Sequence, residues 1–501
     1  MMTRARILAT LALLGSVACL GTPACAGTAP AAIPAHPDQL VFPPLQYEPP
    51  RAADHRHVLK NGVVVYVVED HRVPLVDLTI HVRVDDKQEP PAQFGLHDAA
   101  FALMTTAGGA QHDATWIEEE IAFLGASLDS YADENGGVLG LQTLTKDLPH
   151  GLDLAFELLR SPRYQEDRLQ QWKDRRLAAF RKRNDEAEDV ERAQWRRLVY
   201  DARSNRPGTA VTTAAIDAAS LKAWHDRWVQ PRNLLITVSG DITAKEILPQ
   251  LEKRFKGWSG PAQDFGSPDP CYADARPGVY LVNKAINQTR ARCILPGLDR
   301  DDPRWLPAWL MNEMLGGGSM SSKLLNRIRT QEGLAYSVGS RLEERDFGRG
   351  LLFAAFQTKV ESTQYAMSLL REELGKMAAG DFRDEELENS KAQLVQAFPT
   401  WFVSAGAIAG ALAGEELSGR DKSDPRHYQE LRARVQAVTR QQVEEAARDL
   451  LKPGAMVWLL VGDAPKILAP DTEHGLKLED FGPVTRLPLR DPLTLEALPL
   501  D

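Results

Sequence analysis

Positive charge is in short supply for a chain of 501 residues: 59 Lys and Arg stand against 69 Asp and Glu, a formal net charge of −10. That balance gives no electrostatic reason to seek nucleic acid or an anionic membrane surface, so no nucleic-acid partner is expected. Long apolar runs are missing beyond the first 20 residues, so no transmembrane segment is expected. Cysteine is scarce as well. Of four, Cys19 and Cys25 lie near the start, leaving Cys271 and Cys293. Two cysteines do not make a zinc site on their own. In an oxidising compartment they could pair, or they could stay two unpaired, half-buried thiols. What remains is an ordinary globular composition, 43% apolar and 26% charged, in a chain long enough for roughly two to four domains.

The N-terminus reads as an export signal. Arg4 and Arg6 precede an apolar run from Ile7 to Leu14, and Ala24-Cys25-Ala26 offers a small-x-small cleavage site before Gly27. Residues 1–26 are therefore expected to be a signal peptide and the mature protein to be periplasmic. The residues before Cys19 and Cys25 fit a lipid-attachment box poorly, which disfavours a lipoprotein. Residues 27–45, rich in Ala and Pro, read as an extended leader.

Folded sequence starts near His57. Val63 to Val68 is a β-branched run after Asn61-Gly62, and it pairs naturally with the alternating Leu75 to Val84. Helices are expected over 96–106, 114–124, 148–160, 165–185 and 188–201. The last two are crowded with charge of both signs (DRRLAAFRKRNDEAEDVERAQWRR), and the interleaving reads as a solvated helix face. The chain then repeats itself. A strand over 234–238 ends in Ser-Gly-Asp and another over 455–461 ends in Gly-Asp; each follows an amphipathic helix, and Asp241 and Asp463 stand 222 residues apart. Near that offset, Gly95-Leu96 opening one helix matches Leu315-Gly316-Gly317, read as opening another. Two similar halves follow, 46–258 and 278–465. A Pro/Gly-rich linker over 259–277 joins them, and 466–501 reads as a C-terminal tail that is extended or wraps another surface.

The most specific string is LGGGSMSSKLLNRIRTQEGLAYSVGSRL, Leu315 to Leu342. It resembles the second-half signature of the pitrilysin/insulinase zinc peptidases, above all the two-half subunits like those of mitochondrial processing peptidase. The two Gly-Asp strand ends and the helix entry Val435-Gln436-Ala437-Val438-Thr439 agree with it. The resemblance implies an α+β fold of two tandem homologous halves, each a mainly antiparallel sheet packed with helices, together forming one side of a clamshell.

An active member of that superfamily carries H-x-x-E-H on the first helix of its first half. Histidines at i and i+4 bind zinc, and the glutamate between them activates water. Aligned on Gly95-Leu96, the first-ligand slot here is Asp98, the base slot Phe101 and the second-ligand slot Ala102. The third ligand, after a gap of about 76 residues, falls on Ala179. His97 cannot rescue the site: its i+3 and i+4 neighbours are Ala100 and Phe101, and it points roughly 100° away from the slot at 98. His112 reads as an isolated loop histidine. Zinc needs about three protein ligands, so no metal, no cofactor and no catalysis by this chain alone are expected.

The second half differs. Arg329 stands near the end of a helix, Gly333 is a plausible stop with positive φ, and Tyr336 opens a strand. In the family such an Arg and Tyr reach across to the zinc half, the Arg binding peptide carbonyls and the Tyr donating to the developing oxyanion. Gly316 and Gly317 would allow close approach to substrate backbone. The resemblance therefore implies a substrate-binding subunit of a heterodimeric zinc peptidase, with zinc on an H-x-x-E-H partner and unfolded or short peptides as substrates. A zinc-free scaffold or assembly protein and a free-standing peptide-binding protein of the same fold are the alternatives.

Overall fold

The computed structural model describes residues 46–133, 136–260, 269–273, 275–318 and 320–500, with His36 besides. The expected signal peptide lies outside the described residues, as does the leader apart from His36. All elements named here belong to one compact unit, Tyr47–Asp501.

Two six-stranded mixed sheets organise this unit. The first is built from β1 (Arg56–Val58), β2 (Val64–Glu69), β3 (Leu75–Arg83), β4 (Ser127–Asp133), β5 (Gly136–Leu144) and β6 (Leu234–Gly240), in the order β1-β2-β6-β3-β5-β4. The second uses β7 (Gly278–Asn283), β8 (Gln288–Asp299), β9 (Ala335–Leu342), β10 (Arg349–Lys359), β11 (Val457–Gly462) and β12 (Val484–Leu487), in the order β12-β7-β11-β8-β10-β9. The two orders correspond strand for strand. β2 and β6 pair in parallel, as do β7 and β11. Each of these parallel pairs brings together a strand that opens a half and one that returns after the helices. The edges break the symmetry, because β1 runs antiparallel to β2 whereas β12 runs parallel to β7.

Each sheet is covered on both faces, and this explains its sequence. β3 alternates, with Val76, Leu78, Ile80 and Val82 buried in the first core. β2 and β11 are apolar nearly throughout, as strands buried on both sides are. On one face of β2, Val65 and Val67 meet the helices of their own half, among them α1 (Leu96–Ala102), α2 (Leu148–Arg160), α3 (Glu166–Arg181) and α5 (Ala218–Trp228). The corresponding core of the second half includes α6 (Trp305–Leu315), α7 (Thr363–Ala378) and α9 (Arg440–Leu450).

The other faces are exchanged. Helix α4 (Ala187–Val199) leaves the first half and packs on β11 and β8, burying Val190 with Val282, Leu459 and Val461. Helix α8 (Ala405–Leu417) does the reciprocal, burying Leu412 and Ala413 against Tyr66 and Leu235 and setting Ala405 and Ala409 on Val68. Each crossing helix carries one buried carboxylate. Glu191 on α4 accepts from the Arg290 and Arg292 guanidinium groups of β8. Glu416 on α8 accepts from Arg56 at 2.8 Å and from the Tyr66 hydroxyl at 2.7 Å. Salt bridges in both places satisfy groups that the apolar contact would otherwise strand.

The described part of the 259–277 segment runs back along the first half: the Asp201 amide donates to the Cys271 carbonyl at 2.9 Å and the Ala273 amide to Val199 at 2.7 Å. Cys271 and Cys293 are both free thiols. The C-terminal segment first adds β12 to the second sheet. It then crosses the first half's helices, where the carbonyls of Pro488 and Arg490 accept from Gln194 and Asn184 and that of Leu493 from the Ala210 amide. No single helix among the described residues is long and apolar enough to cross a membrane.

Candidate functional site

The first-half slots lie on α1 and α3, and only the one at Phe101 belongs to the packed interior. Helix α1 starts at Gly95, whose φ of 104° favours glycine and over which the Arg176 guanidinium lies; a Cβ there would stand 3.3 Å from Arg176 Nη2. Glu89 caps the helix, accepting from the Gly95 amide at 2.9 Å and from the His97 amide. Asp98, the carboxylate in the first-ligand slot, accepts from Arg176 Nη1 of α3. A guanidinium thus supplies the positive charge that a metal would supply to that carboxylate.

Phe101, in the base slot, is 1% exposed. Its ring lies on Gly137 of β5, where an added Cβ would stand 2.0 Å from Phe101 Cε1. Only glycine leaves room for that ring. Ala102 is half-buried and Ala179 exposed on α3, and neither has a donor atom in its side chain. His97 is buried, with edge-to-face contacts to Phe101 at 5.2 Å and Trp224 at 5.8 Å. Its Nε2 lies 3.0 Å from the Gly136 carbonyl and must donate there, since that oxygen can only accept. Burial pushes its pKa down, keeping it neutral. His112 is engaged by its surroundings: Nδ1 lies 2.8 Å from Glu157 and the ring stacks on Trp116 at 3.7 Å. No two of the 11 histidines stand four residues apart in the sequence. No group of three or more His, Cys, Asp or Glu able to hold a metal occurs among the described residues. The residues present do not fit zinc.

Helix α1 ends at Ala102, short of the expected Thr106. The Ser130 hydroxyl of β4 donates to the Phe101 carbonyl at 2.5 Å, and the Met104 amide reaches the same oxygen in a tightened turn. The Ala100 carbonyl, the first to lose its helical partner, instead accepts from the Tyr164 hydroxyl at 3.1 Å.

In the second half the glycine run closes a helix instead of opening one. Leu315 is the last residue of α6 and Gly316 its C-cap. The helix that opens after the matching glycine in the first half is α1, and its counterpart by position in the fold is α6 itself, which precedes the run. The repeat is therefore out of step with a constant offset. Gly316 is needed for close approach to β9: its carbonyl accepts from the Ser340 amide at 2.9 Å, and a Cβ would lie 2.5 Å from that nitrogen. A Cβ on Gly317 would lie 2.5 Å from Glu313 Oε1. These glycines have a packing reason before any contact with a ligand.

Arg329 and Tyr336 are brought together. Leu325–Gln331 is a π-helical turn, a wider winding than the regular helix expected there. Gly333 (φ 66°) turns the chain, its amide bonding the Arg329 carbonyl at 3.1 Å, and the Leu334 amide bonds Ile328 at 3.0 Å. Thr358 Oγ1 of β10 then fixes the Leu334 carbonyl at 2.8 Å just before β9 begins. The result places the Arg329 guanidinium 5.0 Å over the Tyr336 ring. Tyr336 is 86% exposed. Neighbouring Arg327, by contrast, is held by Glu332.

Residues 215–394, from α5 of the first half into the second, match the family described as the peptidase M16 inactive domain. The chain carries a peptidase M16 inactive domain. The chain is similar to an uncharacterized zinc protease of Streptomyces coelicolor, 24% identical over 381 residues that cover 74% of this chain and 82% of that one. It is also similar to a probable inactive metalloprotease of Bacillus subtilis, YmfF, 26% identical over 266 residues, 50% of this chain and 60% of that one. Among solved structures, a peptidase M16 inactive domain from Pseudomonas fluorescens superposes with a TM-score of 0.71 at 22% identity, covering 81% of this chain and 97% of that one. A protease from Helicobacter pylori gives 0.68 at 16% identity, covering 81% and 98%. These likenesses place both halves in the M16 fold.

The surroundings of Ala179 were not legible in the sequence. The mixed-charge stretch over 165–201 was expected to be a solvated face, yet part of it lines a cavity of about 690 Å³ that reaches Ala179 and Phe94. Helical periodicity alone does not reveal this, because the opposing walls come from residues 203–207 and Leu495.

Proposed function

We propose that this chain is the non-catalytic, substrate-binding subunit of a heterodimeric zinc peptidase, exported to the periplasm, whose partner carries H-x-x-E-H and the zinc. The observation that carries the reading is the Arg329–Tyr336 pair. The protein spends a π-helical turn, a left-handed glycine and a side-chain anchor on placing a guanidinium over an aromatic ring that is almost wholly exposed. Exposed Tyr contributes little to a core, and among the described residues the Arg329 side chain has no carboxylate partner. Both groups are thus available to a ligand. In this role Arg329 binds carbonyls of an unfolded or short peptide, and the Tyr336 hydroxyl donates to the oxyanion formed as water attacks on the partner's metal. The first half, with Phe101 and Arg176 where ligands would be, contributes shape and no metal chemistry.

The test is reconstitution with an H-x-x-E-H M16 chain that copurifies with this one. Tyr336→Phe should lower kcat by roughly 10²–10³, by analogy with other oxyanion donors. Arg329→Ala should raise KM as well, because its contacts to carbonyls exist before the chemical step. Wild-type kinetics in both variants, in complexes of matched thermal stability, would favour a scaffold of the same fold.

A further inference from the structure

Beside Ala179, the slot expected for the third metal ligand, lies a cavity whose charged side chains are nearly all cationic. Lys182 and Arg183 come from just beyond α3, Arg192, Arg196 and Arg197 from α4, and Arg206 from the loop that follows. Arg203 completes the set, and Asp189 is the only carboxylate among the lining residues. Arg192 is answered by Asp189 and Arg203 by Asp201, Arg206 donates to the Glu89 carbonyl at 3.1 Å, and the Arg196 guanidinium lies over the Trp195 and Tyr200 rings. Arg183 is satisfied only by neutral carbonyls, those of Pro492 at 3.1 Å and Gly208 at 2.7 Å, and lies 3.6 Å over the Phe180 ring. No carboxylate pairs with Lys182 or Arg197 among the described residues. Burial, with Arg176 and Arg197 close by, pulls Arg183 down to about 10. Burial and Arg490 likewise lower Arg197. A protein with net charge −10 therefore concentrates unanswered positive charge in one recess, where low-dielectric walls focus the field.

Ser204 and Asn205 add polar groups, and Phe94, Phe180, Ala193, Pro207 and Leu495 make an apolar part of the wall. Guanidinium forks match carboxylates, and aromatic and aliphatic walls suit the carbon stems of side chains. The volume, about 690 Å³, falls in the range of roughly 300–1,000 Å³ usual for ligand sites. Ala179, the position of the lost third ligand, is part of the wall.

We propose that this cavity binds an acidic stretch of peptide, its carboxylates on Lys182, Arg183 and Arg197 and its carbon chain on Phe94 and Phe180. This deepens the peptide-handling role by naming the substrate class, and it rests on that role. An inorganic anion would satisfy the charges but leave the apolar walls unused.

The test uses the mature chain alone and fluorescent hexaglutamate as the probe, with inorganic phosphate and an eight-residue thymidine oligonucleotide as competitors. Hexaglutamate should bind saturably at about 50 mM salt and weaken at about 500 mM. Arg197→Glu should weaken it about tenfold or more, as expected for loss of a charge-assisted contact and gain of a like charge. Lys182→Glu should act in the same direction, and Lys253→Glu, on the exposed side of the helix Ala244–Phe255, should change nothing. If Arg197→Glu lowers the melting temperature, Arg197→Gln, which keeps a polar side chain, provides the reading. No saturable binding, equal loss in Lys253→Glu, or a preference for phosphate or the oligonucleotide over hexaglutamate would overturn the assignment. Such a failure, with Tyr336-dependent cleavage intact in the reconstituted complex, would remove the cavity assignment alone. Arg197-dependent binding of hexaglutamate supports it even where Tyr336→Phe leaves cleavage unchanged.

Discussion

The two halves share one sheet order and opposite uses of it. In the first half, the residue where a catalytic base would stand is Phe101, 1% exposed and seated on Gly137; in the second, Tyr336 is 86% exposed and stacked under Arg329. The same scaffold has turned one surface inward and kept the other outward. Once Phe101 fills its slot, packing recruits the surroundings: Gly137 must stay glycine, His97 stays neutral between Phe101 and Trp224, and Asp98 turns to Arg176. The positions expected as metal slots at 98 and 101 are thereby parts of a packed structure. The Arg329–Tyr336 site shows the converse, since its supporting contacts hold the backbone and leave the side chains uncovered.

The sharpest way to break this contrast is to cut into the first half. Phe101→Ala should destabilise the protein by about 3–5 kcal/mol in denaturant unfolding, the usual cost of emptying an aromatic site in a core. A loss below about 1 kcal/mol would mean that the slot is not a packed interior.

The exchange of helices between halves comes next. Glu191→Ala leaves Arg290 and Arg292 without their shared carboxylate beneath α4. The expected cost is about 3 kcal/mol, at the low end for breaking a buried pair because both arginines keep partial access to water. At Glu416, burial raises the pKa, but the hydrogen bonds from Arg56 and Tyr66 outweigh it and the net shift is downward. A carboxyl depressed in the folded state stabilises fully above its unfolded pKa, about 4.3, and that contribution is lost as pH falls through the folded value. Glu416→Gln should therefore be less stable than wild type at pH 7, and the gap should narrow below about pH 4. A gap independent of pH would mean that the carboxylate's charge plays no part.

Gly137→Ala forces a Cβ into the Phe101 ring and should cost about 1–3 kcal/mol by overpacking. Combined with Phe101→Ala it should cost less than the sum of the two, because the collision disappears. Strict additivity in the cycle would show that the two positions do not meet.

At the small end, Tyr336→Phe should shift stability by less than about 0.5 kcal/mol, as surface substitutions do. A large drop in melting temperature would mean that the second half, too, has absorbed its site residue into structure, and the contrast between the halves would vanish.

Much of this was readable from residues alone. The identities of Phe101, Ala102 and Ala179 exclude zinc ligation at those slots whatever the fold, because side chains without donor atoms cannot coordinate a metal. The helices Ala114–Leu124 and Leu148–Arg160 fall where periodicity placed them, and the Gly-Asp strand ends mark the inner strands β6 and β11. Such features depend on local backbone preference and on a 2.0 or 3.6 residue period, which neighbouring residues specify. Other features belong to the tertiary structure. The glycine run at 316–317 has the composition of a helix entry or a helix end alike, and only the approach of β9 makes it an end. α4 reads as a helix of its own half, because amphipathicity says that a face is buried and not which sheet buries it, and α8 is not singled out at all. The basic cavity needs walls from Phe94 ahead of α1, from α3, α4, a loop and the C-terminal segment, positions separated by up to about 400 residues of chain. Charge is written in the sequence, but whether it meets water or other charge is decided by what folds over it.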